Sequence, residues 1–227
     1  MLYLVLTFVS GFFIPFIARR LGKILPATMG IILFELVHRP RFAKTHNPLQ
    51  YARFRKKWQT LFIYSIVVGC INMILSILAH YYLPTNIHLF AYAFIWLVLC
   101  AAETDYRYMI LPDCLTLPLL LIGFLFAVQT SLISPLQSIM GCFFAYLITT
   151  LSVFLLNFKK QTIFGAGDSK MAIAFGAWLG MNGLNYAIFI SFFLFVIYSF
   201  FIKRRTGAYG PALGLAGLFC FFILYAK

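Results

Sequence analysis

Residues 165–180 read GAGDSKMAIAFGAWLG, an acidic residue set between glycines and small residues at the entrance of a strongly apolar run. The chain has only five acidic residues among 227, so a carboxylate at the mouth of an apolar helix has to be explained. Small residues recur at Ala172, Gly176 and Gly180, a spacing of four that predicts a tight helix-packing stripe.

Outward from this stretch the apolar character continues to both ends. The chain is 63% hydrophobic, 19% aromatic and 10% charged, against roughly half apolar and a quarter charged in soluble domains. Several runs reach the roughly 20 residues needed to cross a bilayer as a helix. Hydropathy and turn signals predict an all-α polytopic membrane protein of about eight transmembrane helices. They are placed near 2–18, 60–82, 88–104, 114–131, 137–157, 169–181, 184–202 and 210–226. The first run is followed, not preceded, by its cations, so it is expected to be a retained span rather than a signal peptide.

The net charge of +13 has an explanation in topology. With eight spans, the connections 19–59, 105–113, 158–168 and 203–209 fall on one side. They, or residues beside them, carry 17 of the 18 Lys and Arg residues, leaving Lys227 on the other. Such asymmetry marks a cytoplasmic face and puts the amino end outside. It also removes the need for a nucleic-acid partner. The basic region is expected to meet an anionic cytoplasmic leaflet. Residues 24–37, ILPATMGIILFELV, are apolar but short and contain Pro26 and Glu35. They are expected to be interfacial or re-entrant, because a crossing would break the charge parity.

Cysteines 70, 100, 114, 142 and 220 form no CxxC pair, and histidines 38, 46, 80 and 88 are scattered. No metal site is expected, since zinc needs clustered ligands. No serine nucleophile motif and no HExxH motif occurs.

The acids are Glu35, Glu103, Asp105, Asp113 and Asp168. Asp113 follows Pro112 and opens an apolar run, which reads as a helix N-cap. Asp168 also opens a helix, and Glu103 is expected at the lipid headgroups. Asp105 is harder to place, because it closes a helix, where the macrodipole disfavours an anion. If packing brings Asp105 and Asp168 together, the two can share a proton, one activating water and the other protonating a scissile carbonyl. The dipoles make Asp168 the expected base and Asp105 the expected acid. Gly165 and Gly167 are expected to let the helix of Asp105 approach. Acids in membrane helices also serve ion-coupled transporters. A transporter and a non-catalytic assembly scaffold therefore remain open on these residues alone.

TDYRYMILPDCLTLPLLLIGF, then GAGDSKMAIAFGAWLG, then GAYGPALGLAGL resemble in order the motifs of the type IV prepilin peptidases. The match runs from about Asp105 to the C-terminus. The resemblance implies the GxGD intramembrane aspartic protease architecture, with Asp105 and Asp168 as catalytic pair. Gly165, Gly167, Lys170, Pro112 and Asp113 would be supporting motif residues. It implies prepilin or pseudopilin substrates, cut after a glycine that ends a short basic leader, at the cytoplasmic face of a bacterial inner membrane. Preflagellin peptidases share the GxGD logic and are the near alternative. Many members also methylate the new N-terminus with S-adenosylmethionine and carry two CxxC pairs, typically a zinc site, in the first cytoplasmic loop. Here residues 19–59 contain no cysteine, so no zinc is expected, and S-adenosylmethionine would be needed only for a retained methylation. The chain divides into a first span (1–18), a basic cytoplasmic or interfacial region (19–59) and a membrane peptidase domain of about seven spans (60–227).

Overall fold

The computed structural model describes residues 2–24, 48–157, 166–202 and 208–227. The segment 24–37 therefore lies, from residue 25 on, outside the described residues, as does Gly165. The described chain forms seven helices: α1 (Leu2–Ile24), α2 (Pro48–Tyr82), α3 (His88–Tyr108), α4 (Asp113–Gln129), α5 (Pro135–Asn157), α6 (Ala166–Ile202) and α7 (Gly210–Tyr225). A short 3-10 turn at Thr85–Ile87 links α2 to α3. Five helical stretches are long and apolar enough to cross a membrane, and α4 and α7 are shorter apolar helices. The protein is a polytopic helical membrane protein.

The sequence reading needs one correction at α2. Residues 48–59, expected in a loop, continue the helix as a basic extension. At 1.5 Å per residue, the 35 residues of α2 reach about 50 Å, well beyond a hydrocarbon core of about 30 Å. The extension YARFRKKW mixes long cationic and aromatic side chains, which are compatible with a helix.

α6 is one run of 37 residues only nominally, because Gly180 breaks it with φ 65 and ψ −175. A Cβ built on Gly183 would sit 2.9 Å from that of Leu179, whereas positions four apart on an intact helix are about 5–6 Å apart. The neighbours along α7 fix the direction of each half. Tyr225 Oη donates to the Trp178 carbonyl before the break. Past it, Gly183 meets Leu224 and Ser191 meets Tyr209. The second half thus returns antiparallel to the first, matching the two apolar runs separated by GMNG. Gly180 forms this reversal and also keeps its place on the packing stripe: a Cβ on Gly141 of α5 would lie 2.4 Å from the Gly176 carbonyl oxygen and 2.8 Å from the Gly180 carbonyl carbon.

The core is aromatic. Phe94, Phe126, Phe175, Trp178 and Phe221 are fully buried, and their rings meet at centroid distances between 4.6 and 6.1 Å. Trp178 Nε1 donates to the Leu119 carbonyl at 2.7 Å, so the indole N–H is not left unpaired in an apolar interior. Many large side chains face outward instead, among them Phe143, Phe189 and Phe200. An apolar exterior around an apolar core suits lipid as solvent.

Candidate active site

The ends of α3, α4, α6 and α7 nearest the acidic residues gather in one place. α3 stops when Met109 takes the left-handed conformation, φ 53 and ψ 36, and Pro112, extended at φ −76 and ψ 144, starts α4. This tight connection sets α4 beside α3. Gly167 of α6 packs on it, where a Cβ would come within 2.8 Å of that of Leu111.

Asp105 lies in the last turn of α3 and is 5% exposed. Its Oδ2 accepts the Gly210 N–H at 2.8 Å, one of the first-turn amides of α7 that have no partner within their own helix. A Cβ on Gly210 would lie 2.6 Å from the same oxygen. The glycine that lets the helix of Asp105 approach is therefore Gly210, whereas Gly167 faces Leu111. Asp105 closes α3 but faces the positive end of α7, so both aspartates meet a helix N-terminus and the macrodipoles no longer rank them.

Asp168 sits in the first turn of α6, partly buried. Its charge acts on Tyr209, immediately before Gly210. Burial chiefly, and then the charge of Asp168, push the Tyr209 phenol above the ordinary tyrosine range, while the hydrogen bond with Ser191 pulls it down. That bond is 2.5 Å long, and the Ser191 side chain is fully buried. Of two residues adjacent in the chain, Gly210 thus bonds Asp105 and Tyr209 feels the charge of Asp168.

Asp113 is not the N-cap. The cap position is Pro112, without a side-chain cap bond, and Asp113 begins the helix. Its carboxylate instead accepts from Lys170 Nζ at 2.5 Å, both side chains being about half exposed. The pair joins the first turns of α4 and α6. Glu103 departs from expectation too. It is buried rather than at the headgroups, accepts the Tyr64 hydroxyl at 2.7 Å and pairs with Arg107 one turn later. The Arg107 guanidinium lies over the Tyr64 ring, 4.8 Å from its centroid. The Glu103–Arg107 spacing of four is a sequence signal for such a pair. Among the described residues no group of three or more His, Cys, Asp or Glu could hold a metal ion.

With this geometry in view, comparison with known proteins is informative. Residues 92–200 match the type IV leader peptidase family, a stretch that contains Asp105, Pro112, Asp113, Gly165, Gly167, Asp168 and Lys170. Similar proteins named prepilin leader peptidase/N-methyltransferase occur in Legionella pneumophila and Dichelobacter nodosus. The first is 31% identical over 68% of this chain and 57% of its own length. The second is 34% identical over 69% of this chain and 56% of its own. A protein of the same name from Neisseria gonorrhoeae is 36% identical over 53% of this chain and 42% of its own. The chain thus spans little more than half the length of the first two relatives. No solved structure matches.

Proposed function

We propose that this protein is a prepilin peptidase. It removes the short basic leader of type IV prepilins or pseudopilins after a glycine, at the cytoplasmic face of a bacterial inner membrane, for pilus or type II secretion assembly. The observation that most supports this reading is that Gly210 donates to Asp105 while Tyr209, next to it in the chain, feels the charge of Asp168. Asp105 and Asp168 are two carboxylates from different helices at one end of the bundle, within the stretch that matches the leader peptidase family.

In the proposed reaction the pair holds one proton. The ionised carboxylate takes a proton from water as its oxygen attacks the scissile carbonyl carbon. The protonated one gives its proton to the carbonyl oxygen. The tetrahedral diol then collapses, the C–N bond breaks, and a proton passes to the departing amine. Gly210 N–H orients Asp105, and the Lys170–Asp113 pair holds the start of α6, which carries Asp168, against α4. The basic segments are assigned to topology and to the anionic leaflet, with no nucleic-acid partner.

The peptidase reaction is proposed to need no metal and no cofactor. Residues 19–59 contain no cysteine, so the donor set does not fit a Cys₄ zinc site. Methylation with S-adenosylmethionine is accordingly left out of the proposed activity. The test is co-expression with a type IV prepilin and intact mass measurement of the pilin. Leader loss supports the reading, an added methyl mass would extend it, and an uncut prepilin beside well-folded protein would overturn it.

A further inference from the structure

Glu103 and Arg107 stand one turn apart on α3 and flank Asp105 in the chain. Successive residues of a helix are turned by about 100°, so positions 103 and 107 share a face while 105 points nearly the opposite way. The structure uses both faces. Asp105 meets Gly210 of α7, and Glu103 meets Tyr64 of α2.

The cluster on the α2 side is closed. Glu103 Oε2 accepts the Tyr64 hydroxyl at 2.7 Å, and Oε1 accepts Arg107 Nε–H. The Arg107 guanidinium in turn covers the Tyr64 ring, 4.8 Å from its centroid. Each of the three side chains thus meets the other two. Glu103 is 8% exposed and Arg107 21%. A buried ion pair adds little stability over apolar side chains of similar volume, so stability alone does not account for this one. What it adds is direction, because hydrogen bonds are angular and apolar packing is not.

We infer that Glu103 is a positioning residue for Asp105, setting the rotation of the last turn of α3 against α2. The inference rests on the peptidase reading above and deepens it. α3 ends one turn beyond Asp105, at Met109, and helix ends fray because their last carbonyls have no partner within the helix. The Gly210 bond to Asp105 leaves the turn free to swivel about it. The triangle of Tyr64, Glu103 and Arg107 removes that freedom from the opposite face. A side-chain tip lies about 5–6 Å from the helix axis. A swivel of about 10° would therefore displace the carboxylate by about 1 Å, a misplacement that can slow catalysis about 100-fold.

The experiment follows cleavage of a type IV prepilin by membranes carrying wild type, Tyr64→Phe, Glu103→Gln, or the apolar pair Glu103→Leu with Arg107→Met. A melting temperature is recorded for each. Tyr64→Phe keeps the ring and loses the cross-helix bond. It is expected to lower kcat about tenfold with KM within about twofold, as for alignment lost in the transition state. Glu103→Gln keeps an acceptor for Tyr64 and is expected to stay within about threefold of the wild-type kcat. The apolar pair is expected to melt near wild type and yet to cut at least about tenfold more slowly. Wild-type kcat in Tyr64→Phe, or in an apolar pair that melts near wild type, overturns the inference, as does Glu103→Gln no faster than the apolar pair. A raised KM at constant kcat also overturns it, since Glu103 would then contact substrate instead. Should wild type cut the prepilin while these results fail, the positioning role alone falls. Should wild type cut nothing, the peptidase reading falls and the positioning role with it.

Discussion

Gly210 presents its backbone N–H to Oδ2 of Asp105 at 2.8 Å, across 105 positions of sequence. The contact joins the last turn of α3 to the first turn of α7 and leaves no room for a side chain at 210. Gly210→Ala is therefore expected to push the carboxylate aside and lower prepilin cleavage about 100-fold, the scale of a 1 Å misplacement. Gly214→Ala is the control, because its new Cβ would meet nothing closer than Val98 Cγ1 at 3.2 Å. Cleavage rates at matched membrane levels decide. Equal rates for the two variants would contradict the contact's role.

The ion pair of Asp113 and Lys170 is half exposed, and such pairs contribute about 0–1 kcal/mol to stability. Asp113→Asn is expected to leave the melting temperature nearly unchanged and to lower cleavage by no more than about tenfold. The exchanged pair, Asp113→Lys with Lys170→Asp, is expected to recover activity relative to either single reversal, read by cleavage rate. Complete loss in Asp113→Asn would make Asp113 part of the chemistry instead.

Ser191 and Tyr209 share a hydroxyl–hydroxyl bond between the returning half of α6 and the start of α7. Ser191→Ala and Tyr209→Phe are each expected to cost about 1 kcal/mol. The double variant should cost clearly less than the sum, because one bond is lost once. Unfolding measurements test this. The Tyr209 phenol is held above its ordinary range by burial and by Asp168, so it stays neutral at neutral pH. Whatever stability its raised value confers is present below the unfolded-state value and disappears only as pH rises through the folded one. Tyr209→Phe should therefore leave the neutral-range pH profile of cleavage unchanged, and a shifted profile would contradict this.

Gly180 occupies a backbone region open essentially to glycine alone, with a cost of order 1–3 kcal/mol for other residues. Gly180→Ala is expected to lower the melting temperature and the folded yield while leaving cleavage per folded molecule near normal. An unchanged melting temperature would contradict the reversal at this residue.

Much of this was legible locally. Apolar runs gave the helices, and the GMNG interruption gave the reversal in α6. What failed was long-range or required the end of a helix to be placed against another. Glu103 meets Tyr64 across 39 positions and Asp113 meets Lys170 across 57, and no periodicity within one helix reports either contact. The helix end that Asp105 faces is likewise long-range, since α7 brings its N-terminus there from another part of the chain. The charge of the basic extension of α2 reports topology and not local structure, although Lys and Arg are also good helix formers.

The central claim is that Asp105 and Asp168 together cut the substrate. The measurement that tests it most directly is the intact mass of a co-expressed type IV prepilin beside wild type, Asp105→Asn, Asp168→Asn and Asp113→Asn at matched membrane levels. The account expects leader loss with wild type and Asp113→Asn, and at least about a 100-fold fall in cleavage for each of the other two. Normal cleavage by either Asp105→Asn or Asp168→Asn would contradict it.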